Sequence, residues 1–124
     1  MKERQSRTAL GRAGEEAAAR HLSELGYRIL ARNVRFRFGE LDIVAEQNDC
    51  LVFVEVKTRT GAGYGSAAEA VTPAKQRQLV RLAGAYLAAT GGRERPCRFD
   101  VVTVEPGPAG AWICQVIANA FGEN

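Results

Sequence analysis

Histidine is nearly absent from this chain: His21 is the only one in 124 residues. A single imidazole leaves almost no room for Ser-His-Asp or Cys-His catalysis, or for histidine-based zinc sites. Chemistry here falls to carboxylates and lysines. Cysteine is also sparse, with Cys50, Cys97 and Cys114 odd in number and without a Cys-x-x-Cys spacing. They are expected to be free, buried thiols of a reducing cytoplasm. No apolar run approaches the roughly 20 residues of a membrane span. The opening residues, Met1 to Arg7, are polar with no apolar block behind them, so no secretory signal is expected. There is no internal repeat, linker or low-complexity tract. One domain over residues 1–124 is therefore expected, with 46% apolar residues to build its core.

The net charge is only +3, but it is uneven. Residues 1–37 carry nine Lys and Arg against four Glu, and fourteen of the seventeen basic residues in the chain are arginine. Arginine suits bidentate phosphate contacts. Charge alone still favours an ordinary solvated surface.

The anomaly lies in the stretch from Gly39 to Arg59. It alternates with period two on both sides of a polar turn at Asn48-Asp49, the pattern of a β-hairpin. In its first strand Leu41, Ile43 and Ala45 are expected on one face, with Glu40, Asp42 and Val44 on the other. In its second, Val52, Val54 and Val56 face one way, and Leu51, Phe53, Glu55 and Lys57 the other. Both faces of the second strand are apolar, so it is covered on both sides. Charged groups seldom sit in such a strand without a partner. A turn centred on Asn48-Asp49 sets Asp42 opposite Glu55 and Glu40 opposite Lys57. Opposed side chains have Cβ atoms roughly 4.5–5.5 Å apart. Two carboxylates that close repel, so either one stays protonated or a cation lies between them. A hard divalent ion, Mg²⁺ or Mn²⁺, is the natural occupant.

Around the hairpin, residues 8–25 read as a helix capped by Ser6 or Thr8 and stopped by Gly26. Glu15 lies two turns before the apolar Leu22, about 20° away around the axis, and so points toward the core side, while Glu16 points to its edge. Taken alone, such a glutamate is more often a border residue reaching solvent. Tyr27 to Arg32 reads as a strand. Val34-Arg35-Phe36-Arg37-Phe38 then alternates arginine with apolar residues, as a strand with one solvated face or as a ridge against a phosphate backbone. After Lys57, the glycine-rich segment 58–66 reads as a loop beside the acids, either a substrate-ordered flap or a plain connection. It lacks the Gly-Lys-Ser/Thr ending of a phosphate loop. Thr72 caps a helix opening at Pro73, with Leu79, Leu82, Ala83, Tyr86 and Leu87 on its buried face and Gly91-Gly92 at its end. Strands follow at Arg98–Glu105 and around Trp112–Ile117. The order is α-β-β-β-α-β-β, a mixed-sheet α/β domain.

Asp42-x₁₂-Glu55-Val56-Lys57 has a clear logic for phosphodiester hydrolysis. The two acids would hold Mg²⁺, which polarises the phosphate and helps make hydroxide from water. Lys57 would orient that water or stabilise charge on the phosphoryl oxygens. Glu15 would bind a second ion or a metal-bound water.

The chain resembles the YraN-like family, bacterial proteins placed in the PD-(D/E)xK nuclease superfamily. The resemblance is carried by Gly11 to Glu15, Gly26-Tyr27, Arg32-Asn33, Gly39 to Val44, and Val52 to Arg59. It continues through Tyr64-Gly65, Glu69 to Thr72, Lys75, Arg98 to Val101, and Asn119 to Phe121. Leu41 stands where the motif has proline, and Glu40 is an extra acid beside Asp42. The resemblance implies a restriction-endonuclease-like mixed β-sheet flanked by helices and a cytoplasmic, metal-dependent endonuclease acting on DNA. It extends more distantly to archaeal Holliday-junction resolvases, which implies branched or structured DNA and a homodimer. By that similarity Glu15, Asp42, Glu55 and Lys57 are the catalytic positions, and the backbone carbonyl of Val56 joins Asp42 and Glu55 as a metal ligand. Arg12, Arg35, Arg37, Arg59 and Lys75 are the candidates for contact with nucleic acid. The competing expectation is a non-catalytic nucleic-acid-binding protein that keeps the nuclease fold.

Overall fold

Asn48 and Asp49 reverse the chain with both φ angles positive, 51° and 68°, the conformation of a two-residue hairpin turn whose twist matches its strands. The computed structural model describes residues 9–59, 71–92 and 94–122. The turn joins β2 (Gly39–Gln47) to β3 (Cys50–Thr58), and pairing runs in the expected register from Gln47 opposite Cys50 to Ile43 opposite Val54. Before the hairpin stand α1 (Ala9–Glu24) and β1 (Arg28–Phe36). After it come α2 (Pro73–Thr90), β4 (Cys97–Pro106), a short 3₁₀ turn and β5 (Trp112–Phe121). The five strands lie in sequence order. Only β3 and β4 are parallel, with α2 as the crossover between them. This is the α-β-β-β-α-β-β mixed sheet expected from the sequence.

Each face of the sheet buries one helix. Val52 and Val54 of β3 pack with Ala18, Ala19 and Leu22 of α1, while Leu51 and Phe53 pack with Leu79, Leu82 and Ala83 of α2. The apolar residues on both sides of β3 thus have their physical reason. The start of α2 follows the sequence: Thr72 Oγ1 accepts from Lys75 N at 3.1 Å, Pro73 opens the helix, and Gly91 closes it at φ 76°.

Several expectations need correction. Tyr27 to Arg32 and Val34 to Phe38 do not form separate pieces, because one strand runs from Arg28 to Phe36. Val34, Phe36 and Phe38 pack toward α2 while Arg35 and Arg37 are exposed on the opposite side of the alternation. Leu41 does not share a face with Ile43 and Ala45; it packs with Val44 on the α2 side. The alternation breaks at Asp42, opposite a left-handed Asn33 (φ 53°) in β1. Cys97 is exposed, and only Cys50 and Cys114 are half-buried, since Cys97 begins β4 at the sheet's rim. The expected caps Ser6 and Thr8 and all of the glycine-rich loop from residue 60 onward lie outside the described residues.

α1 approaches the sheet closely at Gly14, which is buried. A Cβ there would lie 2.7 Å from Thr58 Oγ1 and 2.9 Å from Val104 Cγ2. Gly14→Ala gains about 1 kcal/mol of helix propensity, but overpacking costs about 1–3 kcal/mol. We expect a net loss on the order of 1 kcal/mol, read as a lower urea midpoint with unchanged slope.

Candidate active site

At Asp42 the β2–β3 ladder stops, and the side chain takes over from the backbone. Asp42 Oδ2 accepts the Val56 N–H at 2.9 Å, in place of a carbonyl from the opposing strand. The strands therefore part around Asp42, and Glu55 stands beside it, only 6% exposed in the rim of β3. The charges of the two carboxyl groups oppose each other there. Like charges in a partly dry site favour a proton on one acid or a cation beside them. Burial pushes the Asp42 carboxyl well up, with the charge of Glu55 adding to it and the Val56 N–H opposing. Burial also raises Glu55, against the pull of Lys75 and Lys57. This is the repulsion expected from the sequence.

Glu55 follows Phe53 on the face that α2 covers, so the first turn of α2 delivers a cation to it. Lys75 Nζ stands 3.6 Å from Glu55 Oε2. Lys57 lies two residues further along the same strand face, half-buried, and its charge reaches Glu55. The sequence placed Lys75 only as a contact for nucleic acid. Its meeting with Glu55 depends on how α2 docks, which no local pattern records.

Glu15 points inward and is half-buried, whereas Glu16 is exposed and holds Arg32 at 3.0 Å. Glu15 accepts from Asn33 Nδ2 at 3.0 Å, and its charge is felt at Asp42. It comes from the α1 face, opposite to the face of Glu55. Asn33 has its left-handed backbone at this point and presents its amide to Glu15; asparagine tolerates that conformation better than most residues. The extra acid Glu40 pairs with Arg35 at 3.9 Å across β1 and β2, leaving Asp42 as the acid beside Glu55. Of the basic candidates, Arg12, Arg35 and Arg37 are exposed on α1, on β1 and at the following turn. Arg59 is half-buried, and its N–H extends the β3–β4 pairing to the Val104 carbonyl at 2.8 Å.

Among the described residues no three His, Cys, Asp or Glu side chains form a group able to hold a metal by themselves. The donor set at the fork is two neighbouring carboxyl groups whose charges oppose each other. That suits Mg²⁺ or Mn²⁺, which bind through one or two carboxylates and keep waters or phosphate oxygens on their other positions.

A second cluster, at Asp100 on β4, shows by contrast what a structural acid looks like. Asp100 is fully buried and accepts from Tyr27 Oη at 2.7 Å, Arg98 Nε at 2.9 Å and Asn119 N at 2.8 Å. Its charge is matched by one guanidinium within a network of hydrogen bonds, whereas at the fork two carboxyl groups stand against each other with Lys75 beside Glu55.

Residues 14–104 match a family described as Uncharacterised protein family UPF0102. The chain belongs to that family. UPF0102 proteins similar to it include one from Symbiobacterium thermophilum, 62% identical over 112 residues that cover 90% of this chain and 95% of the relative. Another, from Rhodococcus jostii, is 54% identical over 99 residues, 80% of this chain and 84% of the relative. UPF0102 is the YraN-like family that the sequence resembles. The matched span contains Glu15, Asp42, Glu55, Val56, Lys57 and Lys75, so the whole fork lies within the UPF0102 region. A solved structure of Pyrococcus furiosus SfsA in complex with Ca²⁺ overlaps 88% of this chain and 62% of its own, less than two thirds of that protein, at a TM-score of 0.36 and 16% identity. No helix among the described residues is long and apolar enough to cross a membrane.

Proposed function

We propose that this UPF0102 protein is a metal-dependent endonuclease that hydrolyses phosphodiester bonds of DNA. The observation that carries the reading is the Asp42–Glu55 pair, two acids whose charges oppose each other where β2 and β3 part, with Lys75 and Lys57 facing Glu55. Asp42 and Glu55, with the carbonyl of Val56, would hold Mg²⁺ or Mn²⁺. The bound ion supplies Lewis acidity toward the phosphate and a more acidic water. Lys57 points along the face of Glu55 and stabilises negative charge as it develops on the phosphoryl oxygens. Glu15, held by Asn33 on the α1 side, positions water near Asp42. Branched or structured DNA as substrate, a homodimer as the working unit and the cytoplasm as its place belong to the same proposal, on the resemblance to the resolvases.

Purified protein is incubated with branched, single-stranded and duplex DNA in Mg²⁺ or Mn²⁺, beside Glu55→Ala and Lys57→Ala. We expect nicking by the wild type to exceed either variant by about 10²–10⁴-fold. Equal nicking by all three proteins would end the enzyme reading. Salt-dependent binding without any nicking would instead establish the non-catalytic binding protein.

A further inference from the structure

The first half of α2 and the β1–β2 turn enclose a groove of about 510 Å³ lined by Phe38, Lys75, Arg77, Gln78 and Arg81. Among the described residues its lining brings three cations and no acid. The turn is fixed in place: Gln78 Nε2 donates to the Phe38 carbonyl at 2.9 Å, and Gly39 packs against Gln78 and Leu82. The Arg81 guanidinium lies over the Phe38 ring, 4.0 Å from its centre. A guanidinium held flat on a ring loses little further freedom when its fork meets an anion. Arg77 and Arg81 are four residues apart, so they project from one side of the helix. Both are exposed, and neither is needed by the core. Lys75, which lines the groove, also holds its Nζ 3.6 Å from Glu55 Oε2 and so links the groove to the acid pair.

From this arrangement we infer that the groove is a docking track for the phosphodiester backbone of a DNA strand, with Arg77 and Arg81 binding phosphates next to the one that is cut. The inference rests on the nuclease reading and adds to it the path of the strand. The sequence singled out Lys75 but gave no role to Arg77, Arg81 or Phe38.

Fluorescein-labelled single-stranded and duplex DNA is titrated with wild type, Arg77→Gln and the Arg77→Gln/Arg81→Gln double variant in EDTA, with salt raised from about 50 to about 200 mM. Each lost phosphate contact should flatten the log–log salt slope by about 0.7 on single strands or about 0.9 on duplex. The double variant should therefore lose about 1.4–1.8 in slope and at least about tenfold in affinity at low salt. Arg77→Gln, which leaves the Arg81–Phe38 contact alone, should lose half of that slope change. Arg28→Gln, an exposed arginine paired with Glu46 on β1, should change neither quantity. Wild-type protein that nicks DNA while the double variant keeps its affinity and slope refutes the track and leaves the nuclease reading standing. Wild-type protein that neither binds nor nicks overturns both.

Discussion

Asp42→Asn is expected to make the metal-free protein more stable and the enzyme inactive. Asparagine is the neutral counterpart of the protonated acid: its Oδ1 still accepts from Val56 N–H, and it removes the charge that opposes Glu55. Because burial raises the folded-state affinity of Asp42 for its proton above that of the unfolded chain, the wild type holds this stability fully below the ordinary carboxylate range. It then loses that stability as pH rises through the elevated folded pKa. The variant has no proton to lose. The melting temperatures of the two proteins should thus lie close at about pH 4 and separate as pH rises, by about 3–6 °C for a gain on the order of 1 kcal/mol. Mg²⁺ at about 100 times its dissociation constant should stabilise the wild type by about 2.7 kcal/mol and the variant hardly at all. Nicking should fall on the order of 10³-fold, as expected for a lost metal ligand. Thermal melts from about pH 4 to about pH 8, with EDTA and with Mg²⁺, read all but the last. A variant no more stable than wild type at about pH 8 would mean that the acids are not strained against each other.

That opposition between stability and activity was visible in the sequence because the hairpin's turn and register were. Asn48-Asp49 fixes the pairing locally, and alternation along β3 places Glu55 and Lys57 on the face of Phe53 without reference to the rest of the fold. Two features were not legible, each for a physical reason. Leu41 changes faces because the Asp42 side chain turns toward β3, an event that period-two reading assumes away. Lys75 meets Glu55 through helix docking, which is set by Leu79 and Leu82 packing far from either charge. Asp100 lies in the Arg98–Val101 stretch that carries the family resemblance, and the pattern that marks Glu55 in β3 is present there too. It is an acid between Phe99 and Val101 in a strand covered on both faces, with Arg98 two residues away on its own side as the neutralising partner. Asp42 and Asp100 share a local cause as well. Asp42 accepts a backbone N–H where the β2–β3 ladder ends, and Asp100 accepts one from Asn119 at the β4–β5 register shift. In both places a carboxylate replaces a missing main-chain acceptor. What differs is the company each acid keeps: Asp100 is closed into a network with Arg98 and Tyr27, whereas Asp42 stands against a second carboxyl group.

Asp100→Ala should accordingly be the most destabilising single substitution among these acids, by about 3–5 kcal/mol, and should shift melting by on the order of 10–20 °C. The change strips Arg98 of its carboxylate and leaves Tyr27 Oη and Asn119 N without their acceptor. The network joins distant parts of the chain. Tyr27 sits between α1 and β1, Arg98 also donates to Gln47 Oε1 at 2.7 Å at the end of β2, and Asn119 belongs to β5. The charges confirm how tightly it is held: Asp100 raises the pKa of Arg98, and the Tyr27 hydroxyl is raised by burial first and by Asp100 second. Asp100→Asn keeps an acceptor for Asn119 N–H but turns an amide toward the guanidinium, so it should lose less than alanine. Removing both charges together should recover part of the loss, because much of it comes from the stranded guanidinium and not from the missing pair. In urea unfolding, Asp100→Leu/Arg98→Met is therefore expected to be more stable than the sum of its single variants by at least about 1 kcal/mol. Strictly additive losses would show that Arg98 reaches water once Asp100 is gone, and would make the network a set of independent hydrogen bonds.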